Sequence, residues 1–373
     1  MSEYPTRYAH ITGWGTAVPE KVLTNCELAT MVDTSDEWIV SHTGIKERHV
    51  VAPEESSATL AADAAIKALD VANLDPSELD LIIVTSASPE HLFPATACLV
   101  QDRIGATKAG AFDLLAACSG FIYAMNMGAQ YIRSGAAKNV LIVGTETLTR
   151  FVDWQDRNTC ILFGDGAGAF VLQESETPGG VLSGIMRSDG SGGDLLCLPA
   201  GGSKMPATAE TVSTGQHFIH MNGREVFRFA SRVIAQATRE AIAAAGLKLD
   251  DIKLIVPHQA NLRIIESAVR HLEISLDRCV VNLDRYGNTS TASIPLAVCE
   301  AVQDGRIQPG DRLVLVGFGG GLTWGASVVE WSGPFPTKHK VRPLKYRVLA
   351  RLRSWLLRGA RHVEGLIWGR ENQ

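Results

Sequence analysis

Four continuous apolar runs are each typical of a β-strand that is covered on both faces, and they span residues 80–85, 139–144, 252–256 and 312–317. Segments with helical spacing, several of them rich in alanine, lie between or after these runs, at residues 58–69, 121–134, 225–245, 263–271 and 294–303. Strands and helices that alternate in this way predict a layered α/β fold.

The order of these elements repeats weakly along the chain. In the first half, a turn of small residues at Cys118 precedes a helix and the strand that ends at Gly144. In the second half, a similar turn at Asn288 precedes a helix and the strand that ends at Gly317. A duplication would place Cys118 and Asn288 at related positions, although any two α/β units share this much order. Residues 181–215 are rich in Gly and Ser and predict a surface connection between the halves.

The chain has 373 residues, of which 46% are hydrophobic and 20% are charged. This length is great for one hydrophobic core and predicts two domains or one duplicated domain. A net charge of -5 gives no basic field of the kind that attracts nucleic acid. The N-terminal residues lack the apolar segment of a signal peptide, and no apolar run is long enough to span a membrane, so we expect a cytoplasmic protein.

The last 40 residues differ from the rest of the chain in charge. Residues 334–373 contain ten Lys and Arg and two Glu, a charge of +8, which leaves -13 for the remainder of the chain. Within residues 344–368 the apolar side chains recur on one helical face, at Val348, Leu352, Trp355, Leu356, Val363 and Leu366. Arginines gather on a separate face, at Arg347, Arg351, Arg358 and Arg361. A basic amphipathic helix binds an anionic membrane surface or a partner's groove, unless it docks on the acidic body of its own chain.

Cys118 is the candidate nucleophile among seven cysteines. The cysteines are scattered and form no C-x-x-C pair, which predicts neither a disulfide framework nor a metal site. Cys118 lies where an apolar strand meets the start of a predicted helix, at about residue 121. Free backbone N–H groups at a helix N-terminus favour a thiolate, so we expect its pKa to fall toward neutrality.

Two distant segments contain polar side chains that suit the same site. His258 follows the strand at 252–256, at the end of a strand where ligands collect in α/β sheets, although a hydrogen-bonded loop histidine is the commoner case. Asn288 precedes a helix and is either an N-cap residue or a functional amide. The turn at residues 318–321 either needs glycine for its backbone or offers N–H groups to an oxyanion.

Together these motifs resemble β-ketoacyl-acyl-carrier-protein synthase III, the initiating condensing enzyme of fatty-acid synthesis in the thiolase superfamily. The matching segments are residues 34–39, 43–49, 116–121, 163–168, 257–261, 287–290 and 318–325. The resemblance extends over about residues 7–332 and implies a duplicated, five-layered αβαβα fold. Its halves would be residues 1–177 and 178–333, and residues 334–373 would be an amphipathic helical extension.

The resemblance also implies a mechanism and a set of catalytic residues. Cys118 would take an acyl group from acyl-CoA, and malonyl-acyl-carrier protein would then lose CO2. His258 and Asn288 would donate hydrogen bonds to the enolate oxygen, and the backbone N–H groups of Cys118 and Gly320 would bind the tetrahedral oxyanion. CoA enters as a substrate, so no metal and no other cofactor is expected. Glu146, at the end of a predicted strand, is an acidic residue without a role in this scheme.

Substrate and partner contacts follow from the same resemblance. Trp38 and Arg157 would lie on the two sides of the CoA adenine, and Phe93 would reach the acyl pocket of the second subunit in a homodimer. The pantetheine tunnel would be lined by Thr34, Arg224, Asn261 and Phe318. The carrier protein would dock on Gln259, Ala260, Asn261, Leu262, Arg263, Arg228 and Arg270. His42 replaces an arginine that helps some members to hold the CoA phosphates.

Two alternative functions remain open at this stage. One is a related synthase that makes a secondary metabolite or a long-chain β-keto product. The other is a catalytically silent acyl-binding protein whose tail is the working part. The presence of Cys118, His258 and Asn288 argues against the silent protein, while the length of the starter acyl chain is not predicted.

Overall fold

A computed structural model describes residues 6–334 and 343–368 of the chain. The strands are β1 (Tyr8–Ala17), β2 (Val22–Thr24), β3 (Glu47–His49), β4 (Leu81–Thr85), β5 (Gly110–Leu114), β6 (Asn139–Glu146), β7 (Gly166–Ser175), β8 (Gly180–Ser188), β9 (Leu196–Cys197), β10 (His220–Met221), β11 (Leu254–Pro257), β12 (Arg312–Gly319) and β13 (Thr323–Glu330). The helices are α1 (Asn25–Leu28), α2 (Asp36–Thr43), α3 (Ser57–Ala72), α4 (Thr96–Ile104), α5 (Gly120–Arg133), α6 (Arg157–Cys160), α7 (Ala209–Ser213), α8 (Gly223–Ala244), α9 (Leu262–Leu272), α10 (Leu283–Tyr286), α11 (Ser293–Gln303) and α12 (Pro343–Trp368).

Two main sheets share one strand order, which confirms the predicted duplication. The first sheet has the order β1-β7-β6-β4-β5, and the second has the order β8-β13-β12-β11. In the first sheet, β5, which precedes Cys118, and β6 both run parallel to β4. In the second sheet, β11, which precedes His258, runs parallel to β12. Cys279 forms an isolated parallel bridge with Ile255, at the place of a fifth strand. The predicted division after residue 177 falls between β7 and β8.

The helices complete five layers around the two sheets. α3 and α4 cover the outer face of the first sheet, and α8 and α9 cover that of the second. α5 and α11 lie between the sheets and are apolar on most sides because both faces are covered. The five-layered αβαβα prediction is therefore confirmed.

Glycine at position 120 allows α5 to begin close to the first sheet. A Cβ at this position would overlap the hydroxyl oxygen of Thr85 at the end of β4. Since Gly120 follows Cys118 by two residues, this contact also fixes the distance between the nucleophile and the carboxyl ends of β4 and β5.

One segment differs from its prediction. Residues 181–188, which were expected in a surface connection, form most of β8 and pair with β13 along its whole length. Val181 and Ile185 of β8 point into the core, and this alternation predicts a strand more strongly than the glycine content opposes one.

The extension forms a single helix that packs on the body of the protein. α12 lies against α3 and α4, on the outer layer of the first half. In residues 6–334 and 343–368 no helix is long and apolar enough to cross a membrane. Arg347 and Leu366 belong to the predicted basic and apolar faces of the tail. Their side chains lie outside the described part of the structure.

Candidate active site

Cys118 lies in a short 3-10 turn between β5 and α5. The turn spans Ala117–Ser119, and Ala117 has a positive φ of 45°, a conformation that bends the chain sharply before the helix. The thiol is buried, and the hydroxyl of Ser290 donates a hydrogen bond of 3.2 Å to its sulfur. The second half of the chain therefore supplies the closest polar partner of a cysteine carried by the first half.

The acidity of this thiol differs from the sequence-based expectation. Burial raises the pKa of Cys118 to about 12, although the hydrogen bond from Ser290 opposes the shift. The expectation of a near-neutral pKa was wrong because removal of the sulfur from water outweighs the favourable start of α5. The resting nucleophile is a neutral thiol, and its proton must leave as the sulfur attacks.

His258 follows β11 and is held at both its backbone and its ring. Its N–H donates to the carbonyl oxygen of Val316 in β12, 2.8 Å away. Its Nδ1 lies 2.7 Å from the hydroxyl of Ser293, and its ring meets that of Phe318 edge to face at 5.3 Å. Burial lowers the pKa of His258 to about 3, so the imidazole is neutral at physiological pH.

Ser293 is the hydrogen-bond partner of the His258 Nδ1 among the described residues. The Ser293 oxygen accepts a hydrogen bond of 3.3 Å from the backbone N–H of Gln259. The Ser293 hydroxyl can donate its own hydrogen to Nδ1, and in that arrangement the imidazole proton is on Nε2. His258 thus offers an N–H donor to the cavity and carries no charge.

Asn288 is fixed by hydrogen bonds that leave its amide N–H2 group available. Its Oδ1 accepts a bond of 2.8 Å from the backbone N–H of Ser290. Its own backbone N–H donates to Leu162, and its carbonyl oxygen accepts from Gly164. With Oδ1 already bonded, the side chain presents donors toward the site, as the sequence analysis predicts.

Two cavities meet at Cys118. The first has a volume of about 200 Å³ and is bounded by Cys118, His258, Asn288, Asn261 and Phe318, among others. The second has a volume of about 370 Å³ and is mainly apolar, with walls that include Leu148, Phe151, Leu196, Leu198 and Ile219. A sulfur between the channel that contains His258 and Asn288 and the apolar pocket can accept a group that arrives by one and resides in the other.

The glycine-rich turn after β12 packs directly on the nucleophile segment. A Cβ on Gly319 would lie 2.6 Å from the backbone nitrogen of Cys118, so only glycine permits this contact. The hydroxyl of Thr323 donates to the carbonyl oxygen of Ala116 at 2.9 Å and ties the two segments together. Gly320 and Cys118 border the same pocket, as a shared oxyanion site requires.

Glu146 is a fully buried acid at the end of β6. Its carboxyl oxygens accept hydrogen bonds from the backbone N–H groups of Ala87 and Ser88 and from the hydroxyl of Ser88. Burial raises its pKa, and these donors oppose the shift. The group holds the loop after β4 and does not line either cavity in the described part of the chain.

Family models match both halves of the chain. Residues 112–190 match the model of 3-oxoacyl-[acyl-carrier-protein (ACP)] synthase III, and residues 242–331 match the model of its C-terminal part. The β-ketoacyl-[acyl-carrier-protein] synthase III of Roseiflexus sp. (strain RS-1) is 53% identical over 325 residues, 87% of this chain and 99% of the relative. The protein of the same name from Desulfitobacterium hafniense (strain DSM 10664 / DCB-2) is 55% identical over 322 residues, 86% of this chain and 97% of the relative.

The chain belongs to the β-ketoacyl-acyl-carrier-protein synthase III family. A crystal structure of the 3-oxoacyl-[acyl-carrier-protein] synthase III from Aquifex aeolicus VF5 matches with a TM-score of 0.80 and 46% identity, over 87% of this chain and all of the other. The priming β-ketosynthase of the R1128 polyketide pathway matches with a TM-score of 0.83 and 34% identity, over 90% and 99% of the two chains. The higher identities to synthase III relatives make the secondary-metabolite alternative the less favoured one.

In this synthase III the residues expected to hold adenine already contact one another. The Arg157 guanidinium lies over the Trp38 ring at 4.9 Å, and the His42 ring stacks on Trp38 at 4.3 Å. Arg157 also donates to the carbonyl oxygen of Asp33. A base that enters between Trp38 and Arg157 must therefore separate them. The buried hydroxyl of Thr34 has no hydrogen-bond partner among the described residues.

The other predicted substrate residues divide into two groups. Asn261 and Phe318 line the channel that contains His258 and Asn288, and the Asn261 amide donates to the carbonyl oxygen of His42 at 3.0 Å. Arg224 and Phe93 are exposed and line neither cavity in the described part of the chain. Phe93 is 86% exposed in a single subunit, so the contact predicted for it requires a second subunit.

The predicted carrier-protein residues include one that cannot meet a docked protein. Gln259 is buried, donates to the carbonyl oxygens of Pro257 and Val280, and accepts from the N–H of Asn282. It fixes the loop that carries His258, so its assignment to the docking surface is corrected. Ala260 borders the channel and Leu262 packs against Gly44, so both residues lie at the rim of the channel.

The predicted basic residues Arg228, Arg263 and Arg270 are all exposed. A groove of about 360 Å³ between α8 and α9 is bordered by Arg228 and by two further arginines, Arg232 and Arg239. These two were not predicted, although their spacing from Arg228 along α8 places them on one helical face. Ser290 and Ser293 were also missed, because a hydroxyl in the motif that follows Asn288 is equally typical of a helix start.

Proposed function

We propose that this protein initiates fatty-acid synthesis by decarboxylative condensation of an acyl-CoA starter with malonyl-acyl-carrier protein. The observation that carries the proposal is the convergence of Cys118, His258 and Asn288 on one buried channel. Family membership supports the same reaction class, and the apolar pocket beside Cys118 supports an acyl intermediate.

In the first half-reaction the Cys118 sulfur attacks the thioester carbon of acyl-CoA. The S–C bond to the enzyme forms, the S–C bond to CoA breaks, and the proton of the thiol ends on the departing CoA sulfur. A thiol with a raised pKa reacts little with electrophiles in solution, so attack requires a thioester that is bound at the site. Backbone N–H groups of Cys118 and Gly320 stabilise the oxyanion that develops.

In the second half-reaction the malonyl group loses CO2 and leaves an enolate. The electron pair of the broken C–C bond moves onto the thioester oxygen, where the N–H groups of His258 and Asn288 stabilise it. Neutral donors suit this step, since a negative group would repel both the malonyl carboxylate and the enolate. The enolate carbon then attacks the acyl thioester and releases the Cys118 sulfur, which regains a proton.

The substrates would approach through surfaces that carry complementary charge. The phosphates of CoA are expected near Trp38 and Arg157, and His42 would give weaker phosphate contact than an arginine. The basic groove between α8 and α9 suits an acidic carrier protein. We therefore also propose a cytoplasmic location for the enzyme.

We also propose a homodimer formed through strand β5. β5 is at the end of its sheet and pairs only with β4 among the described residues. Leu115, which follows β5 and borders the apolar pocket, is 76% exposed. Antiparallel pairing of β5 with its copy would cover Leu115 and bring the partner's Phe93 toward the pocket.

The test is product formation from labelled acyl-CoA with malonyl-carrier protein, compared with malonyl-CoA, by the wild-type protein and by Cys118→Ala. We expect β-ketoacyl-carrier protein from the wild type and none from the variant. Product formation by Cys118→Ala at the wild-type rate would refute the proposal. A preference for malonyl-CoA would favour the related synthases that use CoA-bound partners.

A further inference from the structure

α12 packs on the protein with its small polar side and leaves its apolar side in solvent. Ala350 and Ser354 are buried against the body. The Ser354 hydroxyl donates to Asp102 of α4 at 2.7 Å, and the Arg358 guanidinium donates to the Ser354 oxygen at 2.9 Å. A helix that belonged only to the body would turn its large apolar residues inward.

The opposite side of α12 is a continuous apolar stripe. Its members are between 50% and 70% exposed, and they are Val348, Leu349, Leu352, Trp355, Leu356 and Val363. At 100° per residue these positions cover about a third of the helix circumference, on the side away from Ala350 and Ser354. Exposed apolar surface of this extent marks an interaction site.

Basic side chains on α12 indicate which kind of surface would cover this stripe. At 100° per residue, Arg351 and Arg353 each lie about 40° outside one of its two edges. Arg358 and Arg361 lie nearer the docked side of the helix. Exposed cations on the described part of α12 are Lys345, Arg351, Arg353, Arg358 and Arg361, against one acid, Glu364. Residues 1–333 carry -13, so an anionic surface would be attracted to α12 and repelled by the body of the protein. An apolar groove in a partner protein is the alternative that receives such a helix, and flotation with vesicles distinguishes it from a lipid surface.

We propose that α12 binds the enzyme to the surface of an anionic lipid bilayer, with the apolar stripe among the acyl chains and the arginines at the headgroups. An amphipathic helix of this composition lies in the plane of the interface. Tryptophan at the stripe suits this position because its ring prefers the boundary between headgroups and chains.

The proposed dimer would double the contact, and this step rests on the pairing of β5. Antiparallel pairing of two copies of one edge strand in a continuous sheet requires a two-fold axis normal to the sheet. α3, α4 and α12 all lie on one side of the first sheet. Both copies of α12 would therefore face the same direction and could meet one bilayer at once.

The test is flotation of the full chain with vesicles of phosphatidylcholine alone or mixed equally with phosphatidylglycerol. We expect recovery with the mixed vesicles, and a bound fraction that falls as salt is added. A chain that ends at Gly333 should float at least about tenfold less. The same loss is expected from the triple variant Leu352→Gln, Trp355→Gln and Leu356→Gln, which keeps good helix formers.

A matched control changes exposed apolar residues elsewhere, with Met186→Gln, Val212→Gln and Leu276→Gln. The control should float like the wild type, and condensation with water-soluble substrates should proceed at the wild-type rate in the α12 triple variant. Equal flotation of the full and shortened chains would overturn the proposal. So would lipid-free assembly beyond a dimer that the α12 triple variant abolishes, since a second copy would then cover the stripe.

Discussion

Substitution of Ser293 by alanine tests how the protonation of His258 is controlled. Nδ1 of this buried ring has one described partner, the Ser293 hydroxyl at 2.7 Å, which itself accepts from the Gln259 N–H. Without the hydroxyl, Nδ1 is unpaired and the imidazole proton can move to it. Nε2 would then present a lone pair to the enolate oxygen in place of an N–H.

The expected loss in the rate of condensation follows from the hydrogen bonds that the substitution removes. A neutral hydrogen bond contributes about 0.5–1.5 kcal/mol, and loss of a donor at an oxyanion costs about 2.7–4 kcal/mol. Since the wrong tautomer is populated only in part, we expect a loss of about 1.4–2.8 kcal/mol, or about tenfold to a hundredfold in the rate of condensation. Acyl transfer to Cys118, which does not use this donor, should change by less than about threefold.

The assay measures the two half-reactions separately in one preparation. Intact-protein mass spectrometry gives the rate of acylation by acyl-CoA, and release of labelled CO2 gives the decarboxylation step. Ser293→Thr, which retains a hydroxyl, is the matched variant and should restore most of the rate. Condensation by a folded Ser293→Ala protein at the wild-type rate would refute the assignment of the proton to Nε2.

Four further outcomes are expected. Trp38→Ala should raise KM for acyl-CoA about tenfold with little change in kcat, since loss of one stacking contact costs about 1–3 kcal/mol; steady-state kinetics decides. Because burial lowers the pKa of His258 to about 3, kcat should not fall between pH 7 and pH 5.5 through its protonation, as a loss centred near 6.5 would show. The same shift makes the free energy of unfolding fall as pH drops from about 6.5 to 3, because His258 is protonated in the unfolded chain and neutral in the folded chain over this range. Arg228→Glu with Arg232→Glu and Arg239→Glu should raise KM for malonyl-carrier protein and leave KM for acyl-CoA unchanged.

The main strands, and the meeting of Cys118, His258 and Asn288 at one channel, could be predicted because each lies in a long, ordered motif. Cys118, His258 and Asn288 all follow or precede elements whose apolar runs are unambiguous. The duplication was visible only as a weak repeat, and the matching strand orders of the two sheets establish it.

The acidity of Cys118 could not be predicted from its neighbours along the chain. The start of α5 is local and favours a thiolate, but the burial that raises the pKa depends on segments far away, including the turn at Ser290. Gln259 was misplaced for a related reason. Its motif lies beside exposed residues, while its side chain turns inward to bond three backbone groups.

The separation of apolar and basic residues on α12 was predicted from the sequence, but the side of the helix that packs on the body was not. Helical spacing shows that apolar and basic residues lie on separate faces. It does not indicate that Ala350 and Ser354 form the side that packs on the body. These small residues form the docked side because Asp102 of α4 offers Ser354 an acceptor. The largest side chains consequently remain outside.

The most direct measurement follows the acyl group on the enzyme before and after malonyl-carrier protein is added. Intact-protein and peptide mass spectrometry of the wild type, His258→Ala and Asn288→Ala should all show one acyl group on Cys118 after acyl-CoA. Addition of malonyl-carrier protein should then clear it within a turnover in the wild type and leave it in both variants. An acyl group on another residue, or its equally rapid transfer in either variant, would contradict the division of roles among the three side chains.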